Sequence, residues 1–137
     1  MTRKEMDQCR SLRQEIRSIE TAMKSPRSTV VAVFYKDYRT GKGIPKSKQE
    51  VDNGEEELRI LKGNLAIYKR KLLKQLTKAE AFIESVESSE LRTVLRMYYI
   101  TGMSQEDIGK EMHYSQSRVS QIINAFWMEQ LTKTHNH

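Results

Sequence analysis

Five polar residues near the C-terminus could hydrogen-bond to the edges of DNA bases. Ser117, Gln121 and Asn124 recur every three or four residues, so they share one side of a helix. Amide side chains pair with adenine through two hydrogen bonds, and a serine hydroxyl can meet several base edges. We therefore predict that bases are read by Gln116, Ser117, Ser120, Gln121 and Asn124.

The stretch from 104 to 123, SQEDIGKEMHYSQSRVSQII, predicts how these side chains are held. Its apolar positions, which would seal two short helices together, are Ile108, Met112, Tyr114, Val119 and Ile122. Gly109 is small enough for a helix crossing, Ser104 and Ser115 suit N-caps, and His113 tolerates the positive φ that the turn needs. The pattern predicts a helix-turn-helix, a motif that places its second helix in the major groove.

Five residues around the two helix starts are candidates for holding the DNA backbone. Amides at a helix N-terminus favour an anion, and lysine and arginine neutralise phosphate charge. The predicted phosphate contacts are Ser104, Gln105, Lys110, Ser115 and Arg118.

The basic charge of the chain lies outside this motif. The formal net charge is +6, yet residues 84–137 hold five cations against seven anions, and residues 62–83 hold six against one. Phosphate neutralisation supplies most non-specific DNA affinity. The C-terminal segment alone is therefore expected to bind weakly, unless two copies pair or the basic helix 62–78 contributes.

Composition and motifs argue against several other classes. A single cysteine, Cys9, excludes an internal disulfide and fits a reducing compartment. The charged start MTRKEMDQCR is no secretory signal, and no apolar run reaches the roughly 20 residues of a membrane span. We find no phosphate-binding loop, nucleophile motif or metal-spaced cluster. We expect a cytoplasmic protein that is not an enzyme and needs no cofactor.

Three further helices are predicted upstream of the motif. Leu12, Ile16, Ile19 and Met23 make one face of a helix at 3–24, which Pro26 would end. A near-heptad pattern from 58 to 82 predicts a coiled coil in a helix from 54 or 55 to 86, within one chain or between two. A helix at 89–100 follows a break with capping serines, and its predicted apolar face is Leu91, Val94, Leu95 and Tyr98. Trp127 is interpreted as a packing residue.

These elements predict an all-α fold. An N-terminal antiparallel helical hairpin or coiled coil, residues 1–86, would serve oligomerisation or partner binding. It would precede a helix-turn-helix DNA-binding domain, residues 87–137. Residues 25–54 would form the crossover, with a short strand or irregular segment at 29–35 and a loop at 40–48.

Residues 89–123, SELRTVLRMYYITGMSQEDIGKEMHYSQSRVSQII, resemble region 4 of bacterial primary-type sigma factors. The overall layout is similar to that of small late-transcription regulators of Gram-positive phages. The resemblance implies that 115–124 reads a promoter element, and that RNA polymerase is a second partner besides double-stranded DNA. His113 stands where the family usually has glycine, and the recognition helix is less basic than usual. No signature of sigma region 2 precedes it, so promoter melting is not expected.

The expected function is sequence-specific DNA binding in transcription control, with a homodimer through the N-terminal helices left open. A DNA-packaging adaptor of the small-terminase kind would use the same parts and form a large ring. A module that only binds protein, for example on RNA polymerase, would show no DNA affinity even at low salt.

Overall fold

In the computed structural model, the backbone is described for residues 1–24 and 46–135, and side chains for 1–24 and 54–133. This part of the chain is helical and contains no strand, so the predicted all-α class is confirmed. The helices are α1 (Arg3–Lys24), α2 (Lys46–Glu84), α3 (Ser89–Leu95), α4 (Gln105–Met112) and α5 (Gln116–His135). A π-helical segment, Arg96–Thr101, continues α3. None of the helices described is long and apolar enough to cross a lipid bilayer.

α2 begins earlier than the sequence pattern predicted. It begins at Lys46, whereas the predicted start was residue 54 or 55 and residues 46–48 were placed in a loop. Lysine, glutamine and glutamate are good helix formers, and the glycine at the predicted start, Gly54, costs only about 1 kcal/mol inside a helix. The strand or irregular segment predicted at 29–35 lies outside the described residues.

The chain divides into two compact units. The first unit combines Met1–Arg13 with Lys71–His137, and the second comprises Gln14–Arg70. These divisions fall within α1 and α2 and not at residue 86, so the predicted domain boundary stays a prediction.

Aromatic residues from three elements form the centre of the first unit. The Trp127 ring stacks on the Phe82 ring at 5.9 Å between centroids, and its indole N–H donates to the Tyr99 hydroxyl at 2.9 Å. Burial raises the pKa of Tyr99 to about 12. Trp127 is only 5% exposed, which confirms its packing role. Phe82, predicted as part of the coiled-coil seam, therefore contributes to this core.

Two arginines of α1 bind backbone carbonyls around the end of the π-helical segment. Arg10 Nη1 donates to the oxygens of Tyr98 at 2.7 Å and Met103 at 2.9 Å, and its guanidinium lies 3.9 Å from the Tyr98 ring centroid. Arg13 donates to the Ile100 oxygen. Carbonyls in the last turn of a helix lack helical partners and favour cations. The first turns of α1 are thereby attached to the helix-turn-helix.

α1 and α2 also meet in the first unit, as an N-terminal helical hairpin requires. The Gln75 amide donates to the Glu5 carbonyl at 3.2 Å and to the Gln8 side-chain oxygen at 3.0 Å. Met6 and Cys9 are fully buried in the same core, so α1 contributes side chains as well as arginine contacts.

Candidate nucleic-acid interface

Local hydrogen bonds set the start of both helices in the helix-turn-helix. Ser104 Oγ accepts from the Asp107 N–H at 3.1 Å, and Ser115 Oγ accepts from the Arg118 N–H at 3.0 Å. Between the helices, His113 adopts φ 62° and ψ 40° in the left-handed region. The predicted caps and the positive φ at His113 are confirmed. A turn therefore separates α4 from α5, and the chain does not continue as one rod.

Gly109 allows the turn to pass close to α4. A Cβ atom at this position would lie 2.5 Å from the carbonyl oxygen of Tyr114. The Tyr114 N–H donates to the Gly109 oxygen at 2.8 Å, and the Tyr114 hydroxyl donates to Glu90 Oε1 at 2.8 Å. The Glu90 carboxylate raises the pKa of Tyr114. These bonds join the turn to α4 and α3 and set the direction in which α5 leaves.

α5 has a buried side and an exposed side, as the spacing predicted. The side chains that pack into the core are Val119, Ile123, Phe126 and Trp127. Ser117, Gln121 and Asn124 are exposed on the other side. Gln116 is also exposed, and Ser120 is half-buried at the edge. The structure thus brings the five predicted base-reading residues onto the first turns of one helix. We refer to these five residues as the polar row.

Asn124, at the far end of the polar row, contacts a residue from the beginning of the chain. Arg3 Nη2 donates to Asn124 Oδ1 at 2.8 Å, and Asn124 Nδ2 donates to Ser120 Oγ at 3.4 Å. Arg3 lies in the first turn of α1 and is exposed. No periodicity in the sequence could have identified Arg3, because it lies 121 positions from Asn124.

The N-terminal residues also change the charge around the polar row. Residues 84–137 hold five cations and seven anions, but residues 1–13 hold four against two and residues 71–83 hold three against one. The first unit as a whole therefore has a formal net charge of +2. Part of the basic surplus that the sequence placed outside the reader belongs to the same compact unit.

The predicted phosphate contacts lie at the two helix starts and along α4. Ser104 and Ser115 use their hydroxyls as caps, and Gln105 is half-buried. Lys110 Nζ lies 3.7 Å from Glu106 Oε1, and both side chains are about 70% exposed. Exposed pairs of this kind contribute about 1 kcal/mol or less, so a phosphate could replace the carboxylate. Arg118 is exposed, with its guanidinium 5.8 Å from the Tyr114 ring centroid.

Residues 88–125 match the family model described as Sigma-70, region 4. This part of the chain is a sigma-70 region 4-like helix-turn-helix. The match begins at Ser88, the N-cap of α3, and ends one residue after Asn124, so it spans the whole polar row. No curated protein and no solved structure matches the chain. Sigma region 4 domains bind DNA and RNA polymerase. The similarity to phage regulators stays a prediction.

Within the part of the chain whose side chains are described, no group of three or more histidine, cysteine or acidic residues could hold a metal ion. The chemistry that the surface offers is hydrogen bonding from amides and hydroxyls, with cations at its margins.

Proposed function

We propose that this protein is a sequence-specific, DNA-binding transcription regulator that acts in the cytoplasm, without catalysis, and is encoded by a phage or prophage. The observation that carries the proposal is the exposed polar row on α5, within a sigma region 4-like helix-turn-helix. A recognition helix of this motif lies in the major groove. The polar row would then face the base edges of a promoter-like element.

Each group in the interface has a distinct role in this proposal. The polar row reads bases, with Gln121 at its centre, because an amide can both donate to and accept from adenine. Ser104, Gln105, Lys110, Ser115 and Arg118 hold the DNA backbone. Backbone contacts set the register of the protein on DNA and add affinity without sequence preference.

Arg3 is proposed to assist Asn124. A carbonyl oxygen has two lone pairs, so Asn124 Oδ1 can accept from Arg3 and from an adenine amino group together. The bond from Arg3 leaves Asn124 Nδ2 on the opposite side of the amide, where it donates to Ser120 at 3.4 Å. Arg3 would thus hold the amide in one orientation and place a cation beside the groove.

Selection of bound duplexes from a random pool, repeated across a salt series, tests this function. We expect one short motif to be enriched, and the salt dependence to count the phosphates engaged. Gln121→Ala should weaken binding to that motif by about 1–3 kcal/mol, roughly ten- to hundredfold, and relax the preference at one base pair.

Gln14→Ala is the matched control, since it removes the same amide from an exposed position on α1 outside the first unit. Its binding should equal that of the unmodified protein. Failure to enrich any motif would refute sequence-specific binding, and undiminished binding by Gln121→Ala would remove Gln121 from base reading.

RNA polymerase is proposed as a second partner, since sigma region 4 domains bind it. Two grooves lie beside α5 and share Leu91, Phe126 and Glu129 in their linings. Glu87 and Lys133 line one of them, and Arg118 and Gln121 line the other. The leucine, phenylalanine and glutamate that the two grooves share would suit a helix that carries apolar and basic residues. Co-sedimentation with purified polymerase core should be weakened by Leu91→Asp and retained by Ser117→Ala, because Ser117 belongs to the polar row but lines neither groove.

A further inference from the structure

In the second unit, α2 has an exposed face with apolar residues at its centre. Ile60 is 55% exposed and Ile67 is 45% exposed, and Gly63 lies between them on the same side of the helix. Leu58, Leu61 and Leu65 are half-buried on the opposite side. We call this exposed surface the outer face of α2, with Ile60, Gly63 and Ile67 at its centre and the exposed Glu57 and Arg70 at its two margins.

Gly63 is open to the approach of another helix. A Cβ atom placed on Gly63 would have nothing within 4 Å. Glycine inside a helix costs about 1 kcal/mol relative to alanine, and no contact in the described part of this chain explains it. The lack of a side chain lets a second backbone come close. Flanking isoleucines supply the apolar area that such a contact would bury.

Charge on the outer face of α2 favours one orientation of a second helix. Glutamates occupy positions 55–57 at one end, whereas Lys69 and Arg70 lie at the other. Glu56 is already paired with Arg59 within the helix, which leaves Glu57 as the acidic residue of the face. An antiparallel copy of α2 places the acidic end of each outer face beside the basic end of the other. A parallel copy places like charges together.

The register follows from these positions. A two-fold axis between residues 63 and 64 sets Ile60 against Ile67 of the second copy. The same axis sets Glu57 against Arg70 of the second copy. Every contact then occurs twice, as a symmetric dimer requires.

We propose that a second copy of this chain docks antiparallel on the outer face of α2, with the two helices crossing near Gly63. The dimer would carry two polar rows and twice the cations available to DNA. Its consequence for DNA binding rests on the proposed function, whereas the pairing itself does not. Two isoleucines per chain make a small interface, so we expect a dimer that dissociates on dilution.

Sedimentation of the full chain without DNA, over a concentration series, tests the pairing. We expect a monomer–dimer equilibrium, and Ile67→Ser should raise its dissociation constant at least tenfold. Leu73→Ser is the matched control, because Leu73 is 65% exposed but lies off the outer face. It should dimerise as the unmodified chain does. A monomer at every concentration, a large ring, or equal loss in both variants would overturn the proposal.

Charge exchange tests the orientation. Glu57→Lys and Arg70→Glu should each weaken dimerisation, whereas an equimolar mixture of the two variants should form a heterodimer. In that heterodimer the new lysine faces the new glutamate, and the remaining arginine faces the remaining glutamate. Both variants should keep the helical circular dichroism of the unmodified protein.

A mixture no more dimeric than its components would refute the antiparallel register. Loss of DNA recognition with dimerisation intact would count against the proposed function alone. Monomeric behaviour with DNA recognition intact would count against this inference alone.

Discussion

Gly109→Ala tests whether the close turn in the helix-turn-helix depends on a missing side chain. The new Cβ would lie 2.5 Å from the carbonyl oxygen of Tyr114, so the turn must shift. Overpacking of this kind costs about 1–3 kcal/mol, while alanine gains about 1 kcal/mol of helix propensity over glycine. The free energy of unfolding should therefore fall by up to about 2 kcal/mol.

Gly63→Ala is the matched control for this change. It makes the same substitution inside a helix, but its Cβ would meet nothing within 4 Å. At protein concentrations where the chain sediments as a monomer, we expect it to stabilise by about 1 kcal/mol. The two alanine variants should thus differ by about 1–3 kcal/mol, with roughly 4 °C in melting temperature for each kcal/mol.

Two optical signals separate the units in this experiment. Trp127 is the only tryptophan in the sequence, and its fluorescence reports the first unit. Circular dichroism at 222 nm reports the helices of both units. Gly109→Ala should lower the melting temperature seen by fluorescence. It should also weaken DNA binding, because the shifted turn redirects α5. The steric argument would be refuted if Gly109→Ala raised the melting temperature as much as Gly63→Ala does.

Three further predictions concern α1 and the core. Arg3→Ala should weaken DNA binding and relax the preference at one base pair. If the slope of log affinity against log salt concentration becomes shallower by about 0.9, Arg3 contacts a phosphate. If that slope is unchanged, the role of Arg3 is restricted to orienting Asn124. Arg10→Ala removes two hydrogen bonds from a charged group and should lower the free energy of unfolding, read from Trp127 fluorescence, by about 2–3 kcal/mol. Arg17→Ala, at an exposed position, should change that free energy by less than about 0.5 kcal/mol. The pKa of Tyr99 is raised to about 12, so folding favours its neutral form. Stability should be full below pH 10 and fall as the pH rises towards 12, by about 2–3 kcal/mol, and Tyr99→Phe should flatten that fall in a urea titration.

The details of the helix-turn-helix could be predicted from sequence because they are local. The caps at Ser104 and Ser115 join residues three positions apart, and the conformation of His113 belongs to one residue. The exposed and buried sides of α5 follow from helical periodicity alone. Interactions this short depend on residue type and spacing and need no knowledge of the remaining fold.

Other features depended on the balance between opposing interactions, which residue patterns do not resolve. The start of α2 at Lys46 reflects helix propensity outweighing one glycine, a balance of about 1 kcal/mol. In the helix predicted at 89–100, the apolar face ended at Tyr98, which is half-buried, whereas Tyr99 is fully buried. The π-helical segment that contains both tyrosines has no periodic signal in the sequence.

The sequence by itself therefore determined the helical class, the helix-turn-helix and the polar row. Only the tertiary structure decided that the first turns of α1 join that motif, through Arg3 at Asn124 and Arg10 at Tyr98. These pairs lie 121 and 88 positions apart. Such contacts depend on how whole helices pack against one another, and the energy of that packing is shared among side chains from distant segments.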